Sequence, residues 1–344
     1  MEGNQHEQIK VIIQSLRKVY KQFRDNNPWT KHQDAIGLII LLLTLGFIGF
    51  SIGCWHYGLL PTWGMVISLA FLTSILHELE HDLIHELYFK KSPVIYHLMM
   101  LGIYIPRPIC LNPWFRKYWH HFHHQHSGMP FDVEERGITN GDKLNLFRLL
   151  LLPDLLLLGA LRFPWLKKEI KAEKEKGTLS EKDLKMINKT LRFGLLPLGI
   201  PLTLMWYAYA LGNIMHWCGF EIRSLLTYSD AVHWIMMIFV LPNLIRQFAL
   251  HFISSNMHYF GDIEHGNIVQ QVQIFKPWWS YPFQLFCFFF GVTHAIHHFW
   301  VNEPFYLRQF TARDAQKILT SNGIRVNDTK SLRYANRYHH SKEN

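Results

Sequence analysis

The chain has 344 residues, 49% hydrophobic, 15% aromatic and only 18% charged, below the ~25% charged that is usual in soluble domains. Its net charge of +9 suits anionic lipid or an anionic substrate; nucleic acid fits poorly, because the basic residues lie beside apolar spans and no binding motif is present. The four cysteines, Cys54, Cys110, Cys218 and Cys287, are isolated and form no C-x-x-C, which argues against a thiolate zinc or iron–sulfur site and against a disulfide framework.

Three regions follow in order: a polar segment 1–34, a long apolar region 35–310 and a charged segment 311–344. The first has no apolar signal-peptide core, so the first membrane span is expected to act as its own insertion signal. Residues 35–76 contain no Asp, Glu, Lys or Arg. A span needs ~20 apolar residues, so this stretch predicts two helices joined by a tight turn near His56–Trp63. Two later stretches predict a second hairpin, giving spans at about 35–54, 60–78, 194–215 and 231–252. The fold class expected is an all-α integral membrane protein of four transmembrane helices, with a helical cap. The apolar segments 94–105 and 281–293 are too short to cross, and 145–163 carries Arg148, Pro153 and Asp154; all three predict interfacial or buried helices. Residues 166–191 read as a charged helical insert, with Ser180-x-x-Asp183 as a capping box.

Lys and Arg crowd 1–31, 90–191 and 308–342, while 215–230 holds only Arg223. By the positive-inside rule both termini and the long loop are expected to be cytoplasmic. That topology puts every histidine cluster on the cytoplasmic side.

The clusters are His77-Glu-Leu-Glu-His81-Asp-Leu-Ile-His85, then His120-His-Phe-His123-His124-Gln-His126, then His294-Ala-Ile-His297-His298. Histidines three or four residues apart share a helix face and can converge on a metal. H-x-x-H-H occurs twice. Neutral imidazoles suit Zn, Cu and Fe, and zinc needs only three or four ligands. At least eight well-spaced histidines are enough for two metals. Two nitrogen-bound irons can activate dioxygen and break an unactivated C–H bond, and the apolar surroundings favour a hydrocarbon substrate.

In these motifs the chain resembles the membrane fatty acid desaturase superfamily, which also includes fatty acyl hydroxylases, alkane monooxygenases and a 1-alkene-forming fatty acid decarboxylase. The matching segments are His81-Asp-Leu-Ile-His85-Glu-Leu-Tyr-Phe89, Trp114-x-Arg116-x-x-x-His120-x-x-His123-His124 and His294-x-x-His297-His298-Phe299. The resemblance covers about 35–310. It implies membrane hairpins with three cytosolic histidine boxes around two non-haem irons, and O2 as cosubstrate. It also implies a further ligand after the fourth span, for which His258 is the best match, with His251 and His265 as flanking alternatives. The implied ligands are then His81, His85, His120, His123, His124, His258, His294, His297 and His298. In box one the pair can also be His77/His81, which leaves His77 as an alternative ligand or a neighbour of the ligands. His121 and His126 fall off the spacing of box two.

Glu80, Asp82, Asp262 and Glu264 stand beside these histidines, where a carboxylate can orient a ligand imidazole. Trp114, Trp119, Trp278, Trp279 and Trp300 are candidates for walling an acyl tunnel or for an interfacial belt. Arg107, Arg116 and Arg246 are candidates for an anionic head group; Arg246 falls inside a predicted span, where a buried partner is expected. The substrate implied is a fatty acyl lipid, acyl thioester or free fatty acid, oxidised by desaturation, with hydroxylation or decarboxylation to a 1-alkene as alternatives from the same site. No Rossmann, haem or iron–sulfur signature is present, so an external donor of ferredoxin, rubredoxin or cytochrome type is expected. Two further readings compete: an intramembrane zinc hydrolase on the literal H-E-x-x-H of His77-Glu78-His81, and a metal transporter or sensor. A transporter places ionisable groups near mid-membrane, whereas these clusters sit at span ends.

Overall fold

The computed structural model describes residues 2–138, 141–220 and 229–339. Within them every regular element is helical, apart from the isolated bridges His258–Val272 and Ile274–Val326. In chain order the helices are α1 (Glu2–Asn26), α2 (Gln33–His56), α3 (Thr62–Ile84), α4 (Pro93–Tyr104), α5 (Pro113–His126), α6 (Val133–Ile138), α7 (Leu146–Leu151), α8 (Leu155–Glu175), α9 (Glu181–Phe193) and α10 (Gly199–Trp217). Then come α11 (Asp230–Ile235), which runs through a π-turn at Met236–Val240 into α12 (Leu241–Met257), and α13 (Ile268–Gln271), α14 (Tyr281–Leu285), α15 (Phe290–Phe299) and α16 (Phe305–Ser321).

Among the described residues three helices are long and apolar enough to cross a membrane: Pro28–His56, Thr62–Ile84 and Asp230–Met257. Within the first, α2 buries only one stripe, Gly37, Leu41, Thr44 and Ile48, and exposes Ile39, Leu42, Leu43, Phe47 and Phe50. Exposed leucines and phenylalanines along a whole helix face suit lipid, not water. The fourth predicted span, 194–215, corresponds to α10. That helix has 19 residues, about 28 Å at 1.5 Å per residue, but Trp206, Tyr207, Tyr209, Asn213 and His216 keep its hydropathy over a membrane-length window below that of the other three. Its first predicted residues, 194–198, are not part of the helix, which begins at Gly199. Arg223 lies outside the described residues.

The helix that carries the second predicted span, 60–78, runs on beyond it. α3 continues from 78 through Ile84, and its last nine residues are all buried. This end is polar in sequence, yet it is enclosed by protein on all sides, so apolar content does not reveal its length. Its N-terminal part packs with α2, α4 and the π-turn around Met65, Leu69, Leu76, Met100 and Met236.

Around this membrane-length hairpin lie three smaller packings. Ile12, Leu16 and Tyr20 of α1 meet Leu307, Ala315 and Leu319 of α16 and Ala295 and Ile296 of α15. The two terminal segments therefore brace each other and the third histidine cluster. Phe122 of α5 packs with Leu166 and Ile170 of α8 and Leu184 and Ile187 of α9. Phe252, Ile253 and Met257 of α12 pack with Phe275 and Phe290. The capping box holds: Ser180 Oγ accepts from the Asp183 amide at 3.1 Å, and the Asp183 carboxylate accepts from the Ser180 amide at 3.3 Å.

Candidate metal centre

α3, α5, α12 and α15 bring nine histidines together in two adjoining groups. His81, His85, His120, His124 and His297 form one; His123, His258, His294 and His298 form the other. Within each group one ring nitrogen per residue lies within 4.8 Å of the rest. The groups adjoin, with the rings of His124 and His298 centred 4.7 Å apart.

The Nε2 atoms face one another. His124 Nε2 is 3.0 Å from that of His120 and 3.1 Å from that of His297, which is 3.0 Å from that of His85. In the second group, His298 Nε2 stands 3.0 Å from His294 Nε2 and 3.2 Å from His258 Nε2. Two nitrogens bound to one metal at about 2.1 Å and about 90–110° apart are separated by roughly 3.0–3.4 Å, so the spacing fits a shared cation.

Hydrogen bonds on the far side of three rings point their lone pairs inward. His120 Nδ1 donates to Glu134 at 3.0 Å, His123 Nδ1 to Asp132 at 2.8 Å, and His258 Nδ1 to the Ser254 carbonyl at 2.9 Å with Glu135 at 3.3 Å. A neutral ring that donates through Nδ1 keeps a lone pair on Nε2. His123 Nε2 and both ring nitrogens of His81 are buried without a protein partner. Converging lone pairs and orphaned buried nitrogens are what a metal satisfies. The residues fit such a group.

Burial pushes His85, His120, His124, His258, His294, His297 and His298 below the usual histidine range, reinforced in most by neighbouring histidines. These rings are therefore neutral, the form a metal requires. His123 goes the other way. Burial pulls it down, but the Asp132 carboxylate outweighs this and raises it to about 9.

Arg308 makes a contact that metal binding would alter. Its Nη1 is 2.9 Å from His297 Nδ1. A guanidinium only donates, so Nδ1 accepts here and the neutral ring carries its proton on Nε2. His297 would hold a metal through Nε2 only with that proton on Nδ1; Arg308 also has Glu78 and Asp82, each 3.3 Å from its Nη2.

The other candidates sit elsewhere. His77 lies outside both groups, with Arg116 at 3.3 and 3.4 Å from its two ring nitrogens and Arg107 at 3.5 Å. The H-E-x-x-H pair therefore does not converge, and Glu78 is engaged by Arg308. His251 donates to the Leu152 carbonyl at 2.6 Å, and His265 pairs with His126 at 3.1 Å. His121 meets the Ile84 carbonyl at 3.1 Å.

Asp82 holds no histidine; it accepts from Tyr88 and from the Phe305 amide, both at 2.9 Å. Asp262 accepts from the amides of Tyr338 and His339. Glu80 is clasped by Arg107 at 2.5 Å and Arg116 at 2.7 Å. Asp132, Glu134, Glu135 and Arg308, which do touch the histidines, went unnoticed in the sequence. The available signal was an acidic run, Asp132-Val-Glu134-Glu135, just after box two in an otherwise basic stretch.

A cavity of about 400 Å³ opens on the histidines. His120, His123, His294, Arg107, Arg116 and Arg246 line it together with Leu155, Leu158, Phe163, Leu195 and Leu250. Trp119 is the one tryptophan in its wall; Trp278, by contrast, is 82% exposed. The cavity is thus polar beside the histidines and apolar along α8 and α10.

A family model described as fatty acid desaturase matches residues 57–330. The chain belongs to the fatty acid desaturase family. No curated protein and no solved structure matches it. Membership makes this desaturase-family protein an oxidoreductase of fatty acyl chains, and its three apolar helices fit the membrane setting of such lipids. The match includes every histidine of both groups.

Proposed function

We propose that the two histidine groups hold two iron ions, and that the protein uses dioxygen and an external electron donor to oxidise a fatty acyl chain by desaturation. The observation that carries this is the pair of adjoining Nε2 groups at the polar end of an apolar cavity. Two non-haem irons held there would supply the oxidant that removes hydrogen from an unactivated C–H bond. His81, His85, His120, His124 and His297 would hold one, and His123, His258, His294 and His298 the other.

The protein's own residues bind, orient and exclude. Asp132, Glu134 and the Ser254 carbonyl fix the rings of His123, His120 and His258 by accepting their Nδ1 protons, with Glu135 beside His258. The leucines of α8 and α12 line a path for the chain and keep water away from the reacting carbon. Four spans with both termini and the histidines on the cytoplasmic side suit this scheme. The substrate enters from the bilayer, and a soluble acidic donor of ferredoxin, rubredoxin or cytochrome type docks on the basic cytoplasmic face.

The experiment is metal analysis of the purified protein, followed by incubation of a labelled saturated acyl substrate with reductant and oxygen and mass spectrometry of the product. About two irons per chain and an internal double bond are expected. A single zinc without iron would reject the proposal. An added hydroxyl, or a terminal alkene one carbon shorter, would keep the site and change the reaction to hydroxylation or decarboxylation.

A further inference from the structure

We infer that Arg246 anchors the carboxylate of a free long-chain fatty acid, bound with its acid end inward beside the histidine groups. This rests on the cavity being the place of acyl oxidation proposed above. It adds the substrate class and the direction in which the chain lies.

The argument starts from charge. Arg107 and Arg116 share Glu80. Arg308 faces two carboxylates, Glu78 and Asp82. Arg148 has no carboxylate, but its Nη1 and Nη2 make five close oxygen contacts, to Asp142, Ser255, Asn256 and Asn336. Arg246 differs from all of these. It is 2% exposed, and among the described residues no carboxylate lies within ion-pair distance of it. Its Nε donates to Asn243 Oδ1 at a long 3.4 Å, its Nη2 to Cys110 Sγ at 2.8 Å, and its Nη1 has no partner. A thiol is a weak acceptor. A buried guanidinium left in this state is costly, and a charged acceptor removes the cost.

The second observation is position. Arg246 lines the apolar cavity, and so does Gln247, whose Oε1 is also buried without a partner. Arg246 Nη1 and Nη2 form a fork whose two donors suit the two oxygens of one carboxylate. The same wall reaches the histidines through Arg116, which is 3.9 Å from Glu134, the acceptor of His120. A carboxylate on Arg246 thus lies at the histidine end of the cavity, with the alkyl chain directed along the leucines of α8. An acyl thioester or a phospholipid ester carries no charge at its carbonyl and would leave Arg246 unpaired. Its bulky head group would also have to fit where the arginines are. With the acid end inward, the carbons nearest the histidines are those next to the carboxyl group, so oxidation falls near that end of the chain.

The test is a binding measurement on metal-free protein in nonionic detergent, by displacement of a fluorescent fatty acid with palmitic acid, methyl palmitate and hexadecanol. Palmitic acid should bind at least about tenfold tighter than the ester or the alcohol. R246Q should bring the acid down to the level of the ester while leaving ester binding unchanged, which also shows that the variant is folded. R246K should keep part of the preference. Equal binding of acid and ester by the unaltered protein, or a full preference retained in R246Q, would overturn the inference, and the first comparison needs no variant. Metal analysis of the protein as purified, before metal is removed for the binding measurement, separates the two proposals. An Arg246-dependent preference without bound iron removes the di-iron oxidation and leaves the acid site. Iron and turnover without the preference removes the acid site alone.

Discussion

At the scale of single residues, the proposed metal centre depends on groups that do not themselves face it. Asp132, Glu134 and the Ser254 carbonyl accept the Nδ1 protons of His123, His120 and His258, which fixes each tautomer and holds Nε2 inward. Removing such a partner typically costs 10–100-fold in metal affinity, about 1.4–2.7 kcal/mol. D132N should therefore lower iron affinity by about that factor in a chelator competition, with the protein still inserted. H123A or H297A should lose iron outright and all activity. A fully active H297A protein with normal iron would remove the ligand assignment. The sequence pointed to Glu80, Asp82, Asp262 and Glu264 because they neighbour histidines along the chain. Adjacency misleads on a helix. Consecutive residues point about 100° apart, so a carboxylate beside a histidine in sequence faces another direction. Glu80 and Asp82 accordingly serve arginines, and the true partners come from the segment after α5.

At the scale of helices, the H-x-x-H-H pattern has a geometric reason. In α5, His120 and His124 are one turn apart and belong to the first group, while His123 belongs to the second. In α15 the assignment is reversed: His294 and His298 go to the second group and His297 to the first. Each helix thus lies along the boundary between the groups and contributes to both. The sequence spacing revealed convergence but not this division, which depends on how the two helices face each other. For α3 the geometry favours one register of the proposed ligands. His81 and His85 are in the first group, and His77 rests against Arg107 and Arg116. H77A should therefore retain iron and measurable activity, whereas H85A should lose both; the reverse result, with E78Q as damaging as a lost ligand, would restore the H-E-x-x-H pair. α15 is also placed by Gly291, where an added Cβ would lie 2.5 Å from both Gln284 Nε2 and the Phe275 carbonyl. Overpacking of this kind costs typically 1–3 kcal/mol. G291A should reduce thermal stability accordingly and lower iron occupancy, because His294 sits one turn further along the same helix.

At the scale of the whole molecule, the cavity joins residues that the chain keeps far apart: α3, α5, α6, α8, α9, α10, α12 and α15 all contribute to its wall. The apolar stretches announced the membrane helices because hydropathy is a local property. They could not announce the cavity, because a leucine that lines a tunnel and one that fills a core look alike in sequence. Leu158 is 1% exposed and lies in the wall, whereas Leu152, six residues before it, is equally buried but belongs to a packed core. The consequence is measurable as a dependence on chain length. Each methylene taken from water into an apolar wall contributes ~0.8 kcal/mol, or about fourfold in affinity. Because the cavity is finite, the gain must stop when the wall is filled, and further carbons clash with close-packed side chains. A series of saturated substrates of increasing length should therefore show affinity rising about fourfold per carbon, reaching a maximum and then falling. Turnover of the same series should cease without oxygen, since the oxidation proposed here consumes it. Equal rates at all lengths would mean that the chain does not lie in this cavity. Anaerobic turnover would mean that dioxygen is not the oxidant, whatever the metal content.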